Sequence, residues 1–301
     1  MTNANPTSDH LKGILITTLG VLILSPDALL IRLLDVETWT AVLWRGIAFA
    51  AGISILMLLM YREKTLKQFK NIGRAGLLIG LIFGVSSFFF TASIQNTSIS
   101  NTLVIISTSP AFASLFSWLF LKEKVHLRTW IAMAVIFVAI ILIVSKSLGS
   151  GSLLGDLFAL GTSIFMAVSF TLTRRRKDIN MVPAMVISGL VAATGGALML
   201  SQTTKAYALP EASIPYLIIG GIVVTIAFAL ITLGPRYISA PEVSLIMPLE
   251  TVMGSYLGWA FLSERPSNMT LIGGFVILLT LFIHAWLSLQ AEKRRVAVLS
   301  S

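Results

Sequence analysis

The sequence predicts an all-α integral membrane protein in which ten transmembrane helices form two inverted five-helix repeats. Three observations lead to this fold class: an apolar composition, ten long apolar segments and a heptapeptide that occurs twice. Of the 301 residues, 56% are hydrophobic and only 12% are charged, and the mean hydropathy is +0.89. A soluble fold could not bury that much apolar surface, whereas a lipid bilayer solvates it. The chain is therefore expected to lie in a membrane.

Ten apolar segments have the length that a membrane-crossing helix needs. About 20 residues are required, since each residue advances about 1.5 Å through about 30 Å of hydrocarbon. The segments run over residues 11–33, 40–61, 75–94, 102–121, 127–144, 153–173, 182–200, 214–233, 243–262 and 269–289. The first is too long for a cleaved signal peptide, so it is expected to be the first span.

A heptapeptide at the end of the fourth segment recurs at the end of the ninth. Residues 118–124 read WLFLKEK and residues 259–265 read WAFLSER. Each copy ends in an acidic and a basic residue, Glu123-Lys124 and Glu264-Arg265, which we interpret as capping or gate ion pairs. The shared sequence indicates that one half of the protein duplicates the other.

The duplication divides the chain into two repeats of five spans each. The first repeat is predicted over residues 1–146, a Gly/Ser-rich linker over 147–153, the second repeat over 154–291 and a cytoplasmic tail over 292–301. Because five is odd, the second repeat starts on the opposite side of the membrane and is inverted. Inverted repeats are typical of secondary transporters, in which the halves exchange tilts around a central site.

The distribution of Lys and Arg predicts the orientation of the chain. With a cytoplasmic amino terminus, 17 cations lie in loops and tails on that side and four on the other, while Arg45 lies inside a span. This excess fits the positive-inside rule, so both termini are expected in the cytoplasm and the protein in the cell inner membrane. Anionic lipid accounts for the net charge of +9 without nucleic acid as a partner.

The sequence lacks the residues that several kinds of enzyme chemistry need. The chain has no cysteine and only three dispersed histidines, so neither a metal site nor a thiol nucleophile is expected. No Gly-rich phosphate loop points to ATP hydrolysis. A membrane-embedded enzyme would need a convergent nucleophile and base, which the spans do not show. We therefore expect no enzyme activity and no cofactor, with a small molecule and the bilayer as partners.

Asp27 and Arg45 are charged residues inside predicted spans. A charge at this depth costs at least about 2.5 to 3.5 kcal/mol unless it faces protein or water. Both lie five residues from the outer ends of their spans, roughly 7 Å deep, so they can pair. The pair could form an outer gate, could contact a substrate carboxylate or could be purely structural.

Glu250 lies deeper, roughly 12 Å from the cytoplasmic end of the ninth span, and two residues after Pro248. Its carboxylate could bind a substrate ammonium group or exchange a proton, which makes protons a candidate coupling ion. The alternative is a structural acid that bonds a neighbouring helix.

Prolines interrupt three spans near the membrane centre, at Ser25-Pro26-Asp27, Ser109-Pro110 and Met247-Pro248. Each removes a helical hydrogen bond and frees a carbonyl that a ligand could use, although a packing kink is the simpler explanation for any single proline. A cavity near these breaks would have polar and aromatic wall residues. The candidates are Phe88, Phe90, Ser107, Phe170, Phe228 and Ser244.

The residues around the repeated heptapeptide resemble a known family. Residues 97–101 leading to Ser109-Pro110, and 236–240 leading to residues 248–250, resemble the two EamA-type repeats of the drug/metabolite transporter superfamily. The resemblance implies a ten-span exporter whose pathway is built mainly from the first four spans of each half. Within that superfamily the chain looks most like bacterial amino-acid exporters, including those of aromatic amino acids.

The function expected from these observations is export of small metabolites by alternating access. The resemblance and the phenylalanines suggest neutral or aromatic amino acids with broad selectivity. A channel-like facilitator and a multidrug exporter are the alternatives, because they share a pore-lined fold.

Overall fold

The protein is described by a computed structural model over residues 6–121, 127–147, 153–203 and 207–299, and these residues form helices and contain no β-strand. The helices are α1 (Pro6–Leu24), α2 (Asp27–Leu33), α3 (Thr38–Tyr61), α4 (Thr65–Asn96), α5 (Ile99–Ile106), α6 (Ser109–Leu121), α7 (Leu127–Ser147), α8 (Leu153–Arg175), α9 (Ala184–Ser201), α10 (Ile214–Leu233), α11 (Ala240–Ile246), α12 (Pro248–Leu262) and α13 (Asn268–Leu299). Short 3₁₀ turns lie at Arg62–Lys64, Glu211–Ser213 and Gly234–Arg236.

Seven helical segments of the described residues are long and apolar enough to cross a membrane. They are His10–Leu33, Thr38–Asn96, Ile99–Phe120, Leu153–Arg175, Ala184–Ser201, Glu211–Arg236 and Glu242–Leu262. The second of these contains both α3 and α4. Of two shorter apolar helices, Trp130–Ala139 lies within the fifth predicted span and Asn268–Thr280 covers the first half of the tenth. An all-helical membrane protein is thus confirmed, while the count of ten spans and their inverted symmetry stay predictions.

Helices end at all three predicted proline interruptions. The chain passes from α1 to α2 at Ser25-Pro26, from α5 to α6 just before Pro110, and from α11 to α12 at Met247-Pro248. Proline cannot donate the backbone hydrogen bond that would continue the helix. At the first break, the Ser25 hydroxyl donates a hydrogen bond to the Val21 carbonyl of α1 at 3.1 Å. The first, fourth and ninth predicted spans are therefore each made of two shorter helices.

Small residues let the backbones of α3 and α9 come into contact where the two helices cross. A Cβ atom on Gly46 would lie 2.5 Å from the Ala193 backbone nitrogen, and one on Gly189 would lie 2.6 Å from the Ala50 nitrogen. Glycine is required at these positions because any side chain would force the helices apart. This crossing holds the second and seventh predicted spans together beside the cavity described below.

Two helices extend beyond their predicted spans. The helix α4 starts at Thr65, and Gly73, with φ +53°, kinks it just before the predicted start of the third span. Helix α13 continues to Leu299 through most of the predicted cytoplasmic tail, and the predicted linker lies largely outside the described residues.

The orientation of the chain can be tested with single cysteines, because the protein has none of its own. Lys67 and Gln202 are exposed near opposite ends of the helices. We expect an impermeant thiol reagent to label K67C only from the cytoplasmic side and Q202C only from the outside. Labelling in detergent gives the maximum for each variant. Labelling of both positions from the same side would refute the predicted topology.

Candidate functional site

A buried cavity lies where the broken helices meet α3, α4, α8, α9 and α10. Its volume is about 40 Å³, and a water molecule needs about 10–15 Å³ of such space, so it holds roughly three waters. The polar side chains that line it are Asp27, Arg45, Ser86, Ser87, Thr162, Ser188 and Glu250. The apolar ones are Leu24, Phe49, Phe83, Phe90, Ile106, Met166, Val224, Phe228 and Met247. Helices of both predicted repeats contribute to the lining.

Asp27 and Arg45 form an ion pair in the wall of this cavity. Asp27 is the first residue of α2, directly after the break at Pro26, and its Oδ2 atom lies 2.5 Å from Arg45 Nη2 on α3. Arg45 Nη1 also donates to the Ser87 and Thr91 hydroxyls on α4, at 3.1 and 3.4 Å. The side chains are only 2% and 7% exposed. These contacts fix the guanidinium and leave its Nε atom without a hydrogen-bond partner among the described residues.

Glu250 also lines this cavity. It is the third residue of α12, follows the break at Pro248, and is 4% exposed. Its Oε1 atom is buried and has no hydrogen-bond partner in the described part of the chain. Buried polar atoms are almost always hydrogen-bonded, so an exception in a cavity indicates a position for water or a ligand. The contact with a neighbouring helix that a structural role would require is not formed by this atom.

Phenylalanine rings form the apolar part of the wall. Phe83 lies edge-on to Phe228, with ring centroids 5.9 Å apart, and Phe49 packs on Phe228 at 5.6 Å. Phe90 covers the Arg45 guanidinium at 5.4 Å from its ring centroid. The predicted wall residue Phe170 is fully buried and supports Phe83 from behind at 5.4 Å, so it does not line the cavity itself.

Other residues predicted for the pathway also lie outside the lining. Phe88 stacks on Trp39, with centroids 5.5 Å apart. The Ser107 hydroxyl is turned to the Val104 carbonyl at 2.6 Å, and the Pro110 carbonyl accepts from Ser114 at 2.9 Å. Pro248 begins α12 and Ser244 is buried in α11, where its hydroxyl has no partner among the described residues. Of the predicted residues, the cavity brings together Asp27, Arg45, Phe90, Phe228 and Glu250.

Helical spacing explains which residues of α4 reach the cavity. Ser86, Ser87 and Phe90 follow Phe83 by three, four and seven residues, so all four share one helix face. Neighbouring residues turn by about 100° per position, which directs Phe88 elsewhere. This spacing is visible in the sequence and would have identified Phe83 and the two serines. The lining residues of α8 and α9, such as Met166 and Ser188, carry no comparable pattern.

A polar cluster joins three helices on one side of the cavity. Glu264 follows α12, and its Oε1 atom lies 3.2 Å from Arg32 Nε at the end of α2. Its Oε2 atom accepts from the Ile99 backbone nitrogen at 3.1 Å, and Arg32 Nη2 donates to the Thr97 carbonyl at 2.5 Å. We name Arg32, Thr97, Ile99 and Glu264 the outer cluster, after the predicted topology. The ionic partner of Glu264 is thus Arg32 and not the neighbouring Arg265, and Glu123-Lys124 lie outside the described residues.

A second polar cluster lies at the opposite ends of the first and ninth predicted spans. His10 on α1 lies 2.8 Å from Glu242 Oε1 on α11, and the Ser239 backbone nitrogen donates to Glu242 Oε2 at 2.6 Å. Lys12 lies over the Tyr237 ring at 5.2 Å. We name these five residues the inner cluster. Along the first and ninth predicted spans, the cavity therefore lies between two sets of polar contacts.

Two relatives of this chain are named transporters. A 23% identical relative over 217 residues is an uncharacterized transporter of Methanothermobacter thermautotrophicus, and the match covers 67% of this chain and 61% of the relative. Another, 23% identical over 197 residues, is a riboflavin transporter of Vibrio cholerae, with 64% of this chain and 65% of the relative covered. The matches thus span less than two thirds of each relative's own length.

The fold and the family are also shown by comparison. A solved crystal structure of a 16% identical protein superposes with a TM-score of 0.65, covering 92% of this chain and 98% of that protein, which supports the fold alone. The sequence model of the EamA-like transporter family matches residues 5–145 and 153–286. These two stretches make up most of the sequence, so the chain belongs to the EamA-like transporter family.

Proposed function

We propose that this protein is a secondary transporter that exports small metabolites, with neutral and aromatic amino acids as substrates of broad selectivity. The observation that carries the proposal is the cavity, which combines an ion pair and an unpartnered carboxylate oxygen with phenylalanine walls. Binding sites for small molecules are mostly apolar with a few placed polar groups. Charged residues inside membrane spans usually mark a substrate or ion pathway.

Alternating access accounts for the small size of the cavity. Ligand sites usually measure about 300–1,000 Å³, so about 40 Å³ corresponds to a closed form. The breaks at Pro26 and Pro248 separate the outer halves of two spans from their inner halves. Opening the outer cluster would connect the cavity to one side of the membrane, and opening the inner cluster to the other.

The proposal includes the orientation derived from the cations. The inner cluster then faces the cytoplasm, where amino acids are collected, and the outer cluster faces the exterior of the inner membrane. Protons moving inward are the proposed driving ion, since Glu250 lies in the cavity between both clusters.

Larger flat metabolites are the second candidate substrates. One relative is named a riboflavin transporter, and aromatic rings such as those of Phe83 and Phe228 stack well on aromatic ligands. A multidrug exporter would use the same apolar wall, and a channel-like facilitator would conduct without closing.

Counterflow in proteoliposomes tests the proposed function. Vesicles containing the purified protein are loaded with unlabelled phenylalanine, tryptophan or leucine and diluted into labelled phenylalanine. We expect saturable uptake that is stimulated by each internal amino acid, with protein-free liposomes as the control. Uptake that rises linearly with concentration and does not depend on internal substrate would identify a channel. Counterflow of riboflavin without counterflow of any amino acid would show that the substrates are larger flat metabolites.

A further inference from the structure

We infer that the cavity binds its substrate as a zwitterion, with the substrate carboxylate on Arg45 Nε and the substrate ammonium on Glu250 Oε1. The inference rests on the proposed function and specifies how the same site selects its substrates. It starts from the two charged atoms of the lining that are buried without a hydrogen-bond partner among the described residues. One of them is a donor and the other an acceptor.

Arg45 is held in place before any ligand arrives. Asp27 occupies Nη2, and the hydroxyls of Ser87 and Thr91 occupy Nη1. Phe90 packs over the guanidinium. The Nε–H group therefore points in a fixed direction and offers one charge-assisted hydrogen bond to a carboxylate. Arg45 does not have to release Asp27 to make this bond.

Glu250 offers the complementary half of the site. Glu250 lines the same cavity, and its Oε1 atom accepts no hydrogen bond from the described residues. Because Asp27 and Arg45 neutralise each other, an ionised Glu250 is the unbalanced charge of the lining, and an ammonium group would balance it. An α-amino acid carries both charged groups on one carbon, so a single small molecule can supply a partner for each atom.

The phenylalanines complete the site by receiving the substrate side chain. Phe49, Phe83 and Phe228 line the cavity, and Phe228 contacts each of the other two rings. They select for apolar side chains without strict shape requirements. The class of substrate that follows is the neutral, apolar α-amino acid with both ends free.

Two analogues of L-phenylalanine test the two charged contacts. Binding of L-phenylalanine, L-phenylalanine amide and N-acetyl-L-phenylalanine is measured by competition with labelled phenylalanine on the purified protein. The amide lacks the carboxylate, and the acetylated compound lacks the ammonium. We expect each to bind at least about tenfold more weakly than phenylalanine, because each loses one charge-assisted hydrogen bond.

Two variants assign the contacts to their residues. R45K keeps a positive charge beside Asp27 but removes the Nε–H group, and we expect it to bind phenylalanine and the amide equally. E250Q keeps the shape and removes the charge, and we expect it to bind phenylalanine and the acetylated compound equally. A general weakening of the fold would lower binding of all three compounds in parallel and would not produce this crossed pattern.

The outcomes separate the inference from the proposed function. If phenylalanine binds and both analogues bind as tightly, the zwitterion site is wrong while an amino-acid transporter remains. If no amino acid binds but riboflavin does, the proposed function fails together with the inference. Should R45K fail to fold, the analogue series on the unaltered protein and the E250Q comparison still decide the question.

Discussion

Replacing Glu250 by glutamine should abolish transport driven by a pH gradient while counterflow of labelled substrate persists. Glutamine has nearly the same size, but it carries no charge for a substrate ammonium and cannot take up a proton. Counterflow should therefore continue with a higher half-saturating concentration, by roughly tenfold. The measurement compares counterflow with concentrative transport under an imposed pH gradient in the same proteoliposomes.

Glu250 is the group of the cavity that fits this role. Asp27 is the other acid of the lining, and Arg45 holds it at 2.5 Å. The Oε1 atom of Glu250 has no such partner among the described residues. In the proposed cycle, water would reach it from each side in turn. The matched control is E63Q, which removes an exposed glutamate from the 3₁₀ turn after α3. If transport by the unaltered protein does not respond to an imposed pH gradient, Glu250 has no role in proton coupling.

The parts of the site that the sequence revealed are those where membrane physics restricts the residue type. A charge inside a span needs a partner, and this requirement led to Asp27, Arg45 and Glu250. Proline cannot continue a helix, and this property located all three breaks. The bilayer makes both rules stricter than they are in water, because no solvent satisfies an exposed polar group there.

The remaining wall residues depend on packing that no local pattern records. Val224 and Met166 are ordinary span residues, and only the packing of α8 on α4 and of α10 on α3 brings them to the cavity. Phe170 was predicted as wall because it is aromatic, yet it lies one layer behind Phe83. The ion pair of Arg32 with Glu264 joins residues from opposite ends of the chain. Such a contact follows from the tertiary fold and not from sequence spacing.

The family assignment and the substrate assignment have different support. Resemblance to EamA-type repeats is confirmed by the family's sequence model. Resemblance to amino-acid exporters stays a proposal, because one fold can carry many sites and the named relative transports riboflavin. The substrate must therefore be argued from the side chains of the cavity.

Breaking the outer cluster should open the cavity to the exterior. Glu264 connects α2 through Arg32 and α5 through the Ile99 nitrogen, so E264Q weakens two contacts between broken spans at once. The ion pair is about a quarter exposed, and such a pair contributes up to about 1 kcal/mol. Together with the hydrogen bond, the loss corresponds to roughly a tenfold shift from the closed toward the outward-open form.

The shift can be read from the reactivity of a single cysteine in the cavity. Ser188 lines the cavity and is 1% exposed, so S188C should react slowly with an impermeant thiol reagent added from outside. Adding E264Q should speed this reaction by roughly tenfold. The matched control is E211Q, since Glu211 is an exposed glutamate on the same predicted side. Equal reaction rates in S188C with and without E264Q would show that other contacts keep the cavity closed. If the faster reaction instead required reagent on the cytoplasmic side, the predicted orientation of the whole chain would be reversed, and the outer cluster would be the inner gate.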